Sequence, residues 1–241
     1  MRAETRHQLK EDRFSKATLQ AAEKTVHWTV EHQSKLLVAA IAVMVVAAIA
    51  LGGWYYLNLQ DEKASGDLSI AVRTFDAPVR PAGMPPQPGS ESYGSLEERA
   101  TAARKQFQAI VDKYPQTHTA DMAKYFVGLS SAQLNDNAAA ERNLQAIAGL
   151  RNKDLAALGK FALASVYRVE KKDPQAIDLY KQLADKPTIT VSKVTAQLEL
   201  AGLYEAEQKP DEAKKIYQQV QKENPSTEGA SLAQRRAAAL K

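Results

Sequence analysis

Cysteine is absent from the 241-residue chain, so no thiolate nucleophile is available; the absence suits an oxidising compartment without requiring one. Also missing are the HExxH, GxSxG and phosphate-loop patterns that carry zinc-dependent, serine-dependent and nucleotide chemistry. Of four histidines, only His118 lies beyond the first 35 residues, in a Thr117-His118-Thr119 turn where a surface role is expected. His27 and His32 stand five apart, a spacing that does not bring two ligands to one helix face. Asn135-Asp136-Asn137 lacks the ligand alternation and closing glutamate of a calcium loop. No catalytic residue, cofactor, metal or small-molecule substrate is therefore expected, and the protein is read as a non-enzyme.

An excess of one charge is lacking as well. The net charge is +4, from 32 basic and 28 acidic residues. Residues 1–35 hold seven of the basic and five of the acidic ones, which leaves 25 against 23 beyond them. Both signs are interspersed, and the clustered Lys/Arg face that nucleic acid requires does not form.

What is present is a single apolar run over residues 36–57, LLVAAIAVMVVAAIALGGWYYL, without a charge. Its 22 residues, at about 1.5 Å each, reach roughly 33 Å as a helix, matching a hydrocarbon core of about 30 Å. Ten Leu, Val and Ile residues favour the bilayer by roughly 3–6 kcal/mol. A cleaved signal has a shorter apolar region nearer the start, so Ala48-Ile49-Ala50 is read as part of an uncleaved transmembrane helix. Trp54, Tyr55 and Tyr56 at one end, and Lys35 and Trp28 before the other, are interfacial residue types. Arg2, Arg6, Lys10, Arg13, Lys16, Lys24 and Lys35 precede the run, whereas the twenty residues after it hold only Lys63 and Arg73. That bias puts residues 1–35 in the cytoplasm and the large domain on the outer side. Residues 14–33 have helical spacing through Leu19, Ala22, Val26 and Val30, read either as a partner-binding amphipathic helix or as a solvated extension of the span.

Residues 58–77 carry Leu68, Ala71, Val72 and Phe75 at helical spacing, predicting a short helix that joins the span to the rest of the domain. Residues 78–94 then hold five of the ten prolines and three of the glycines, predicting an extended loop. From residue 95 to 226 the chain repeats itself. Ala103, Ala140, Ala176 and Ala213 are 37, 36 and 37 residues apart; four residues after each comes Phe107, Leu144, Tyr180 or Tyr217, and three further on Ile110, Ile147, Leu183 or Val220. Twelve residues before the last three alanines stand Gly128, Ala164 and Ala201, with Tyr167 and Tyr204 three residues later. Pro174 and Pro210 open second helices, and Pro115 and Pro225 follow helix ends. Each unit is thus a helical hairpin, and residues 227–241 form a capping helix. The fold class expected is all-α, one transmembrane helix followed by an α-solenoid.

Small, aromatic and proline positions in that order resemble the tetratricopeptide repeat. The matching residues are Ala103 and Phe107 in a first partial unit, whose missing partner helix residues 63–77 would supply; Gly128, Ala140 and Leu144 in the next; Ala164, Tyr167, Ala176 and Tyr180; and Ala201, Tyr204, Ala213 and Tyr217. The period exceeds the family's 34 residues, and its early tryptophan position holds Lys124, Lys160 and Gln197. The resemblance implies a scaffold that binds proteins or peptides in a groove lined by first helices. Groove candidates are Met122, Tyr125, Leu129, Leu158, Phe161, Ser165, Thr195, Leu198 and Gly202. Tyr125 and Phe161 fit equally a greasy groove and a core role replacing the tryptophan.

A charged tail, a span ending Gly53-Trp54 with Tyr55 and Tyr56, and an external tetratricopeptide-like domain together resemble the bacterial ancillary subunits of the SecYEG translocon. That resemblance implies an inner-membrane protein with a periplasmic domain, which assists exported clients beside the translocon and a membrane-anchored chaperone. The proline-rich insertion departs from it. A structural adaptor in envelope assembly or cell division would use the same repeats with other partners, and an inverted topology would make a cytoplasmic adaptor.

Overall fold

The computed structural model describes residues 33–81, 83–85 and 92–240. The tail helix expected over residues 14–33, with Trp28, His27 and His32, falls almost wholly outside them. The chain divides into two compact units, Met1–Leu57 and Asn58–Lys241.

α1 runs from Gln33 to Asp76 as one helix of 44 residues, so the short helix predicted over 58–77 is not a separate element. No proline interrupts residues 33–77, and Gln60, Glu62, Lys63 and Ala64 favour continuation where the apolar run ends. Two different burial patterns succeed one another along it. Residues 33–59 are exposed on every side, including Ile49 at 70% and Val46 at 66%. A helix apolar all round is the kind that a bilayer or a large core must enclose. Beyond residue 60 only one stripe is covered, with Ala64 and Ala71 fully buried and Leu68, Val72 and Phe75 packed beside them.

That stripe meets α2 (Leu96–Lys113) and α3 (His118–Gln133), and Phe75, Phe107 and Phe126 form a three-ring contact with centroids 4.8–6.1 Å apart. Polar contacts flank it: Asp61 Oδ1 accepts the Thr119 N–H at 2.8 Å, and Asp67 accepts the Tyr114 hydroxyl at 3.0 Å. Residues 60–76 and α2 make the first hairpin. α3 with α4 (Asn137–Ala148), α5 (Lys153–Val169) with α6 (Asp173–Asp185), and α7 (Lys193–Ala206) with α8 (Pro210–Glu223) make three more, and α9 (Glu228–Ala239) packs last. Each element from α2 onward packs on the next, and α3 also touches α5 as α7 touches α9, giving a TPR-like solenoid of helices.

The turns inside hairpins share one conformation. Asn135, Lys171 and Gln208 have φ of 58°, 57° and 60°, and the next N–H in each case reaches back to Ser131, Tyr167 or Tyr204 at 2.8–2.9 Å. This left-handed closure satisfies carbonyls that the preceding helix leaves open. In the first hairpin residues 77–95 replace that turn. Their ends are tied: the Arg80 and Tyr93 N–H groups donate to Tyr93 and Pro78 carbonyls, and the Arg80 guanidinium donates to the Ser92 carbonyl at 2.6 Å.

All twelve residues of the alanine-led frame in α2, α4, α6 and α8 are buried, none above 3% exposure. A second set of small residues lies at Ala123, Gly159 and Ala196 on first helices and at Ala233 on α9, 36, 37 and 37 residues apart, and all four are buried. At Gly159 a Cβ would stand 2.8 Å from both the Ala148 nitrogen and Ile147 Cγ2. Gly159→Ala is expected to destabilise the protein by about 1–3 kcal/mol despite the helix propensity that alanine adds, because the obstructing atom is backbone. Chemical denaturation of the two proteins checks this, and an unchanged midpoint would sink it.

Candidate functional site

The groove candidates occupy matching stations on the first helices. Met122, Tyr125 and Leu129 lie on α3, Leu158, Phe161 and Ser165 on α5, and Thr195, Leu198 and Gly202 on α7. The large apolar ones are half-buried, whereas Ser165 and Thr195 are exposed. A Cβ built on Gly202 meets nothing within 4 Å, so this station is open space.

Half-burial has a specific cause at each aromatic. Tyr125, Leu129, Leu158 and Phe161 all rest against the central core cluster, and the Phe161 ring meets Tyr180 edge-on at 5.8 Å. Burial pushes the Tyr125 phenol above its ordinary range. One face of each side chain is thus core and the other is exposed, so the core role open to Tyr125 and Phe161 is met by one face only. Leu198 and Val194 instead pack with α8 and α9, and a Cβ on Gly229 of α9 would collide with Val194. The last helix therefore takes up part of the α7 surface.

Farther along the same helices the row becomes polar. The Arg168 guanidinium pairs with Glu199 across α5 and α7 at 2.6 Å, and Arg236 pairs with Glu205 across α9 and α7 at 3.3 Å. Desolvation works against the Arg168 charge, but its contacts with Tyr180 and Glu199 outweigh that and raise its pKa. Burial, then Glu205, hold the Tyr217 phenol well above its usual range. These charges neutralise one another, so the row presents no net attraction for an ion.

Four clefts of about 510–620 Å³ open elsewhere, between second helices and along the connectors, and none is lined by a groove candidate. Among the described residues no group of His, Asp and Glu is arranged to hold a metal ion. Sequence reasoning passed over the pairs that join consecutive hairpins: Arg104 with Asp136 at 3.1 Å, and Glu141 with Lys172 at 2.9 Å. Each involves the residue directly after a frame alanine, a position the repeat register made available.

A family model described as a tetratricopeptide repeat-like domain matches residues 27–186, and one described as a tetratricopeptide repeat matches residues 195–227. No curated protein matches the chain significantly. Among solved structures, the chain is similar to the nearly identical TPR-like repeats of a Podosopora anserina protein assigned as a kinesin light chain. The TM-score is 0.55 at 14% identity, over 74% of this chain and 85% of that one. A single-substitution variant of that same Podosopora anserina protein matches with the same score and identity, over 84% of its length. At that identity the likeness concerns the fold.

Proposed function

Because the chain belongs to the tetratricopeptide repeat-like domain family, we propose that it is a membrane-anchored, non-catalytic scaffold that holds protein segments against the first-helix row. The repeat fold is typically a protein-interaction scaffold. The observation that carries the anchored form is α1, exposed and apolar on every side over residues 36–57 and one-sided beyond residue 60. The family model supports the combination, since its match begins before the apolar run and continues through α6.

Lysine and arginine bias before the run favours a cytoplasmic tail and an external repeat domain. With that orientation the row of Leu158, Phe161 and Leu198 would meet chains emerging from a protein channel, the role implied by the resemblance to the ancillary SecYEG subunits. Photocrosslinking from a benzoylphenylalanine at position 161 is expected to capture translocon subunits or exported clients. Recovery of envelope-assembly proteins in their place would move the protein to the adaptor reading. Protease added to cells with an opened outer membrane should digest the repeat domain, and its full protection would overturn the external orientation.

A further inference from the structure

The connector between α6 and α7 differs from those after α2, α4 and α8 in length and in what it exposes. Residues 114–117, 149–152 and 224–227 are four residues each, whereas residues 186–192 number seven. Part of the excess comes from α7, which starts three residues before Ala196, where α3, α5 and α9 start five or six before Ala123, Gly159 and Ala233. The released stretch is held in place. The Thr188 N–H donates to the Val191 carbonyl at 3.0 Å, the Val191 N–H donates to the Thr188 hydroxyl at 3.2 Å, and the Thr190 hydroxyl donates to the Asp154 carbonyl at 2.8 Å. Val191 is thereby anchored at 3% exposure, and Ile189 stands out at 92%. Gly, Asn, Asp and Ser are the usual residues of such a turn, which itself needs no isoleucine.

The fold gathers positive charge at this connector that the sequence intersperses. Two clefts share Asp185 and Pro187 in their walls: one of about 620 Å³ carries Lys153, Lys160 and Lys186, the other of about 510 Å³ Lys181 and Lys193. Residues 151–160 and 181–193 hold six Lys/Arg against two Asp, while the rest of the chain after residue 35 holds 19 against 21. The positive excess beyond the tail therefore lies here. Lys160 donates to Gln182 at 2.9 Å and Lys193 pairs with Glu223 at 2.8 Å. Lys153, Lys181 and Lys186 are exposed and enter no ion pair among the described residues. An exposed isoleucine alone is ordinary. Beside three unpaired lysines it offers apolar area to cover and charge to complement in one place.

We propose that this connector docks an acidic segment of a partner protein. An apolar side chain of the partner packs on Ile189 and Pro187, both exposed, and carboxylates beside it meet Lys153, Lys181 and Lys186. A second copy of this chain is a poor occupant, because it would bring lysine to lysine. A flat bilayer would touch the isoleucine and leave both recesses unfilled. No groove candidate lines either cleft, so the surface stands or falls independently of the first-helix reading.

Full-length protein in detergent is titrated into a fluorescein-labelled heptapeptide, one leucine between two runs of three glutamates, and fluorescence anisotropy is followed. Saturable binding that weakens with salt is expected. Lys186→Glu and Ile189→Ser, both at exposed positions, should each weaken it about tenfold, as should serine in place of the peptide leucine. Arg142→Glu, an equal change of charge at an exposed site on α4, should alter it by less than about twofold. No saturable binding, equal losses from Lys186→Glu and Arg142→Glu, or unchanged affinity for Ile189→Ser or for the serine peptide would each overturn the proposal. So would displacement by phosphatidylglycerol vesicles or by oligothymidylate that is more effective per charge than displacement by unlabelled peptide.

Discussion

Replacing Tyr180 with alanine is expected to lower the unfolding free energy by about 3–5 kcal/mol. The ring is 0% exposed and lies in the core cluster that runs from α4 to α7 through the second, third and fourth hairpins, with Leu144, Leu163, Leu183 and Leu200 among its members. Removing it opens a cavity that helices on three sides cannot collapse to fill. It also strips the Phe161 ring of its edge-on contact and leaves Arg168 and the Ser165 hydroxyl without the phenol oxygen. A domain of this size is stable by roughly 5–15 kcal/mol, so one substitution removes a large share. Because stability in a linear array is a sum over neighbours, loss at the middle uncouples α2–α5 from α7–α9. Urea titration followed by circular dichroism should show two transitions where the wild type shows one. Tyr180→Phe, which keeps the ring, should cost only about 0.5–1.5 kcal/mol. A loss below about 1 kcal/mol for the alanine variant would contradict the burial argument.

Arginine at both Val45 and Val46 is expected to release the protein from membranes. Each arginine at the centre of a span costs about 2.5–3.5 kcal/mol, so the pair opposes insertion by about 5–7 kcal/mol. The ten Leu, Val and Ile residues contribute roughly 3–6 kcal/mol in favour, two of which the substitution removes. Snorkelling cannot rescue the pair, since both positions are about ten residues from either end, or roughly 15 Å of helix. After alkaline washing of membranes the wild type should stay with the pellet and the double variant should not. Leucine at both positions should behave as wild type, and retention of the arginine variant would count against a spanning segment.

The parts of this structure that were legible in the sequence are those with a distinctive period or length. Ala103, Ala140, Ala176 and Ala213 with their following large residues stood out because alternating small and bulky side chains at one spacing are improbable by composition alone. Gly159 did not, although a Cβ there would meet the Ala148 backbone; its station is filled elsewhere by Ala123, Ala196 and Ala233, and alanine is too common in this chain to mark a position. The turns at Lys171 and Gln208 were invisible for a related reason: their left-handed conformation is usually announced by glycine, and here long side chains adopt it. Continuity of α1 was hidden by a change of composition at residue 58, which alters what surrounds the helix without altering the backbone. For Tyr125 and Phe161 the residue type could not show how much is core, because a first-helix side chain in a solenoid has one side against the cluster and the other exposed.

Two of the ion pairs between hairpins occupy matching stations and carry opposite polarity. Arg104 faces Asp136, and one register later Glu141 faces Lys172. At the third junction the same stations hold Ile177 and Lys209. Loss of one repeat by recombination between the similar coding segments would stack the first hairpin on the third and set Arg104 against Lys172, cation on cation. Loss of the second hairpin therefore turns an attraction into a repulsion at the surface, whereas loss of the third would set Glu141 against Lys209 and keep an attraction, so the charges discriminate between two rearrangements that the hydrophobic frames do not.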